Sequence, residues 1–142
     1  MKLRCASSFL FLLTLAVCLF TFIAAAGKTM LLDESDNNTR VVLYVGDIVS
    51  VRLKSNMTTG YRWNTKDLPS ALQQVDSKAE PGKGGRVGEA GLQTFTFKAI
   101  APGKSTLQLN YIRPFEKDTP PAKTFRLLLS IEAPPGSPSV RQ

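Results

Sequence analysis

The chain has 142 residues, with 18 lysines and arginines against 11 acids, no histidine and two cysteines. Without histidine, and with no cysteine after Cys18, Ser-His-Asp and Cys-His catalysis and the usual zinc sites are excluded. Acid pairs such as Glu116 with Asp118, or Asp33 with Glu34 and Asp36, lie in polar stretches where solvated acids are expected rather than a buried carboxyl of raised pKa, so the chain reads as no enzyme and needs no metal or cofactor.

The first element in chain order is a targeting segment. Met1 to Arg4 give a basic start, Phe9 to Ile23 an apolar run, and Ala24-Ala25-Ala26 a small-residue cleavage site before Gly27, which predicts a signal peptide over residues 1–26. Ala6 to Ala26 could just span a bilayer as an uncleaved anchor, but the alanine ending favours cleavage. Lipidation at Cys18 is disfavoured by bulky Val17 before it and greasy residues after it. A secreted or periplasmic protein, free of the membrane after cleavage, is therefore expected. Both Cys5 and Cys18 leave with the segment, so the mature 142 − 26 = 116 residues hold no disulfide, and the loss of Lys2 and Arg4 lowers the charge from +7 to +5. That length suffices for one domain held by its core alone, burying roughly 65% of the surface its unfolded chain exposes, and a monomer is expected.

From residue 27 the pattern is alternation of period two. Thr29 to Leu32 and Val41 to Val45 are candidate strands; then Val49, Val51 and Leu53 alternate with Ser50, Arg52 and Lys54. Tyr61 to Asn64 and Leu72 to Asp76 are short candidates, with Ser70 to Gln74 after Pro69 an alternative helical turn. Phe95, Phe97 and Ala99, then Leu107, Leu109 and Tyr111, then Phe125, Leu127, Leu129 and Ile131 repeat the alternation. Half-buried strands punctuated by Gly46-Asp47, Pro81 to Gly91 and Pro102-Gly103 predict an all-β fold: an immunoglobulin-like antiparallel β-sandwich of seven to eight strands over residues 27–133. The Pro-rich residues 134–142 are expected to be disordered.

Strand counting then sorts the loops. If Ile48 to Lys54 runs toward one pole, the loops Ser55 to Gly60, the one ending at Gly91, and Arg113 to Pro121 all emerge there, with the tight turns at the opposite pole. The first loop carries Asn56, Met57, Thr58, Thr59 and Gly60, the second Gly88, Glu89, Ala90 and Gly91, and the third Arg113, Pro114 and Phe115. Taken singly these are ordinary turn residues; three compact, mostly uncharged loops at one pole suit insertion into a partner's groove, because stiff loops lose little entropy on binding.

Asn56-Met57-Thr58-Thr59-Gly60-Tyr61 followed by Trp63 resembles the N-P-T-T-G-[YF]-x-W loop of the chagasin family, inhibitors of papain-like cysteine peptidases, and Tyr111-Ile112-Arg113-Pro114-Phe115 resembles that family's Y-x-R-P-W loop. For the family's middle G-x-G-G loop, Gly82-Lys83-Gly84-Gly85 matches the letters and Gly88-Glu89-Ala90-Gly91 the place before a strand; the second is preferred. The resemblance implies an inhibitor that occludes the active-site cleft reversibly, its partner a papain-like, cathepsin L-like peptidase. Thr58 and Thr59 would enter the cleft, with Asn56, Gly60 and Tyr61 shaping the loop and Trp63 supporting it from the core. The middle loop would add backbone pairing, and Arg113 and Phe115 would cover the far side. Three letters depart from the pattern: Met57 for proline, Ala90 for glycine and Phe115 for tryptophan. Met57 also creates an Asn56-Met57-Thr58 glycosylation sequon, expected to be unmodified in the active protein. The alternative is an extracellular immunoglobulin-like binding or adhesion module. Nucleic acid is not an expected partner, since the basic residues form no stripe interleaved with exposed aromatics.

Overall fold

A computed structural model describes residues 27–84, 86 and 88–137. The expected signal peptide, Gly85, Val87 and residues 138–142 of the expected disordered tail lie outside the described residues. The alternating segments form eight strands: β1 (Thr29–Asp33), β2 (Thr39–Tyr44), β3 (Ile48–Ser55), β4 (Arg62–Lys66), β5 (Leu72–Glu80), β6 (Gly91–Ala99), β7 (Gly103–Ile112) and β8 (Lys123–Glu132). They make two four-stranded sheets, ordered β1-β3-β6-β5 and β2-β8-β7-β4, packed as an immunoglobulin-like sandwich.

The period-two pattern explains the core. Val49, Val51 and Leu53 of β3, Phe97 of β6, Leu107 and Leu109 of β7 and Leu127 of β8 are fully buried between the sheets, while their neighbours in sequence face solvent. Truncating any of the buried leucines to alanine would cost about 2–5 kcal/mol through lost burial and the cavity left behind.

Directions follow chain order: odd-numbered strands run toward one pole and even-numbered strands away from it. Two edge pairings join strands of the same parity, β1 with β3 and β2 with β8, and these are parallel. The sandwich is therefore not purely antiparallel. The cause is that β1 and β2 belong to different sheets, so each adds to an edge beside a strand of its own direction. At the far pole, the buried Asp47 carboxylate accepts from Lys28 N at 2.8 Å and Tyr44 N at 2.9 Å, while Gly46 N donates to Ala99 O at 2.8 Å. The tight turn is thereby tied to both sheets.

Of the two readings open for this stretch, the short strand from Leu72 forms and the alternative helical turn over Ser70 to Gln74 does not. Leu72 N donates to Pro69 O at 2.9 Å in a single turn, and Leu72 then starts β5 by pairing with Ala99. Burial of Ala71 and Leu72 against the core overrides the local helical preference. The strand also runs on to Glu80, past the polar residues that hid it in the sequence, and it contains a bulge between Gln74 and Asp76 that leaves Val75 exposed.

Candidate functional site

The strand directions place the connections after β3, β5 and β7 at the same pole, as the loop count anticipates. The first loop is a single 3₁₀ turn over Met57–Thr59. Thr59 Oγ1 donates to Asn56 O at 2.6 Å, Thr58 Oγ1 to Asn56 Oδ1 at 2.6 Å and Gly60 N to Met57 O at 3.1 Å. The turn closes at Gly60, whose φ of 78° is left-handed; an added Cβ would also lie 3.3 Å from the Phe115 ring. Met57, Thr58 and Thr59 are all exposed.

Trp63 roots this loop at both ends. Its ring is buried, and its Nε1 donates to Lys54 O at 2.9 Å, closing the base of the loop from β4 back onto β3. Its backbone is gripped by the buried Gln93 side chain of β6: Trp63 N donates to Oε1 and Gln93 Nε2 donates to Trp63 O, each at 3.0 Å. A side-chain amide thus mimics a strand pairing between sheets.

The three loops touch. Asn56 Nδ2 donates to Gly88 O at 2.9 Å, joining the first loop to the second. The Phe115 ring approaches Gly60, joining the third to the first. Beneath them runs a ladder of rings: Trp63 to Tyr111 at 5.1 Å, Tyr111 to Tyr61 at 5.2 Å, and the Arg113 guanidinium 4.4 Å above Tyr61. Arg113 is half-buried and its Nη1 donates to Glu116 Oε1 at 3.0 Å; that hydrogen bond, ahead of the cost of burial, holds the guanidinium pKa above its usual value. Arg113 is thus braced within its own loop. Phe115 beside it is 70% exposed, a large apolar ring held out at the pole.

In the second loop, the preferred Gly88-Glu89-Ala90-Gly91 does not lie wholly at the tip. Gly88, Glu89 and Ala90 are exposed loop residues, whereas Gly91 is the buried first residue of β6 and pairs with Ser55. Gly82 and Gly84 of the competing stretch lie against the Glu89 side chain, so both stretches belong to one hairpin loop, and Gly85 lies outside the described residues. Two residues to which the sequence assigned no contact in the site join it. Tyr111, an inward position of β7, uses its hydroxyl to accept from Asn56 N at 2.9 Å. Glu116, considered as a solvated acid, pairs with Arg113; its i+3 spacing was the available signal.

Comparison with known proteins identifies the family. Residues 42–128 match the model of the chagasin family of peptidase inhibitors, I42. Amoebiasin-2 of Entamoeba histolytica is 31% identical over 98 residues, which is 67% of this chain and 79% of that protein. Chagasin of Trypanosoma cruzi is 28% identical over 101 residues, 68% of this chain and 92% of that one. Among solved structures, the cysteine protease inhibitor EhICP2 of Entamoeba histolytica superposes with a TM-score of 0.66 at 26% identity, covering 74% of this chain and 96% of the other. A sandwich with three cross-linked loops at one pole, the T-T-G-Y-x-W and R-P-F segments on two of them, and a family match across most of the domain lead to one conclusion: the chain belongs to the chagasin family, a family of cysteine-peptidase inhibitors and not of enzymes.

Proposed function

We propose that the chain inhibits papain-like cysteine peptidases reversibly by inserting the pole of three loops into the active-site cleft. Thr58 and Thr59 enter above the catalytic residues, Gly88, Glu89 and Ala90 flank one side and Arg113, Pro114 and Phe115 the other. The observation that carries this reading is the mutual bracing of the loops through Asn56 and Gly88 and through Gly60 and Phe115, which leaves the tip exposed yet fixed before any partner arrives. The hydroxyls of both threonines are already engaged with Asn56, so the first loop presents a compact, uncharged surface to the cleft. The protein acts after export, in a secreted or periplasmic location, as the leader sequence suggests.

Titration of a chain beginning at Gly27 against papain tests the reading; undiminished peptidase activity at micromolar inhibitor would refute it. Thr58→Asp with Thr59→Asp is expected to raise the inhibition constant about 100-fold, because carboxylates would be buried without partners, while the unfolding midpoint stays unchanged. Wild-type inhibition by that variant would remove the first loop from the mechanism.

A further inference from the structure

Positive charge is distributed unevenly between the two outer faces of the sandwich. The β2-β8-β7-β4 sheet turns Arg40, Arg62, Lys66, Lys104 and Arg126 to solvent, with Glu132 as the acid among them. The other sheet exposes Arg52, Lys54, Lys78 and Lys98 interleaved with Asp33, Asp76 and Glu80, and Lys78 is paired with Asp76 at 3.2 Å. The ion pairs found among the described residues, Lys78 with Asp76 and Arg113 with Glu116, involve none of the five cations of the first face. Strand register sets Arg40, Leu128 and Thr106 in one row across that sheet and Val42, Ser130 and Lys104 in the next. Arg40, Lys104, Thr106, Leu128 and Ser130 line a depression of about 300 Å³. Arg126 is fixed by its Nε donating to Gln108 Oε1 at 3.1 Å, with Gln108 Nε2 in turn donating to Asn110 Oδ1 at 2.9 Å.

We propose that this face binds a linear sulfated glycan. Its cations are separated by neutral hydroxyl and amide groups, which match a chain whose sulfates are separated by sugar hydroxyls; the half-exposed Leu128 offers an apolar contact to a ring face. Strands about 4.8 Å apart, with side chains about 6.6 Å apart along each, spread these groups over a flat band rather than a single-ion site. A nucleic acid fits less well: Tyr44 is the one aromatic on the face, giving no platform for stacked bases, and the described residues of this face are strands with no helix to enter a groove. An anionic membrane fits less well too, because the large apolar side chains exposed on the face, Val42, Tyr44 and Leu128, are each paired across the sheet with a polar or charged residue, Ser130, Glu132 and Arg40, and make no broad apolar face. The face lies along the side of the sandwich, so the loops at the pole stay free for a peptidase while it is occupied.

The test uses a chain beginning at Gly27 and a fluorescent heparin-derived oligosaccharide at roughly 0.15 M salt, with binding expected to weaken as salt rises. Arg40→Glu with Lys104→Glu is expected to weaken binding by about tenfold or more, whereas the same charge change on the opposite face, Arg52→Glu with Lys98→Glu, weakens it by less than about threefold. Equal losses in the two variants would show net charge acting without a site, and absence of binding would likewise overturn the proposal. Tighter binding to duplex DNA or to phosphatidylserine vesicles than to the oligosaccharide would assign the face to another partner. Both variants are expected to inhibit papain as wild type does, so this proposal and the inhibitory reading can fail separately.

Discussion

The phenol of Tyr111 joins the core to the loops: its ring lies between Trp63 and Tyr61, and its hydroxyl accepts from Asn56 N at 2.9 Å. Tyr111→Phe keeps the ring stack and removes that hydrogen bond. It is expected to lower stability by about 1 kcal/mol, read from chemical denaturation, and to weaken inhibition by roughly 3- to 10-fold, since Asn56 N loses its partner and the first loop its anchor. Wild-type inhibition with reduced stability would place Tyr111 in the core alone. The inward position of Tyr111 was legible from alternation, but its hydroxyl partner, 55 residues away, was not. Much the same holds for Met57, where the family pattern has proline. The sequence shows the lost φ restraint, and only the folded chain shows the hydroxyls and the Asn56 amide that hold the turn instead.

At the scale of elements, the β5–β6 hairpin is where sequence patterning was weakest. Ser77 to Glu80, three polar residues and Ala79, are all exposed because β5 is an edge strand with β6 as its one neighbour, so no large apolar residue marks the strand here. Pairing with β6 determines it instead, and the same pairing draws Leu72 out of the helical turn that Pro69 suggested. Gly91 has a close-approach role at the end of this hairpin: a Cβ there would collide with the backbone carbonyl oxygen of Glu80. Gly91→Ala is expected to cost about 1–3 kcal/mol in thermal or denaturant unfolding, because strand backbone rather than a flexible side chain must move. An unchanged midpoint would show that the hairpin end relaxes freely. The glycine was legible as a loop letter, whereas its place inside the strand was not.

For the molecule as a whole, residues 27–142 contain no cysteine, so the sandwich is held by packing and strand pairing alone. A chain beginning at Gly27 is expected to have the same thermal midpoint with and without reductant, measured by circular dichroism; a drop on reduction would contradict this. Sequence by itself determined the all-β class, the core positions and the loop segments that carry the family motifs, because strand periodicity, turn chemistry and loop motifs are local properties of the chain. The shared pole could also be inferred, since it needs only the count of reversals. Tertiary structure alone decided the two parallel edge pairings, the strand identity of Ser77 to Glu80 and the gathering of cations on one outer face. Each depends on which strands become neighbours, and that is set by burial of both sheets' inner faces across the whole chain.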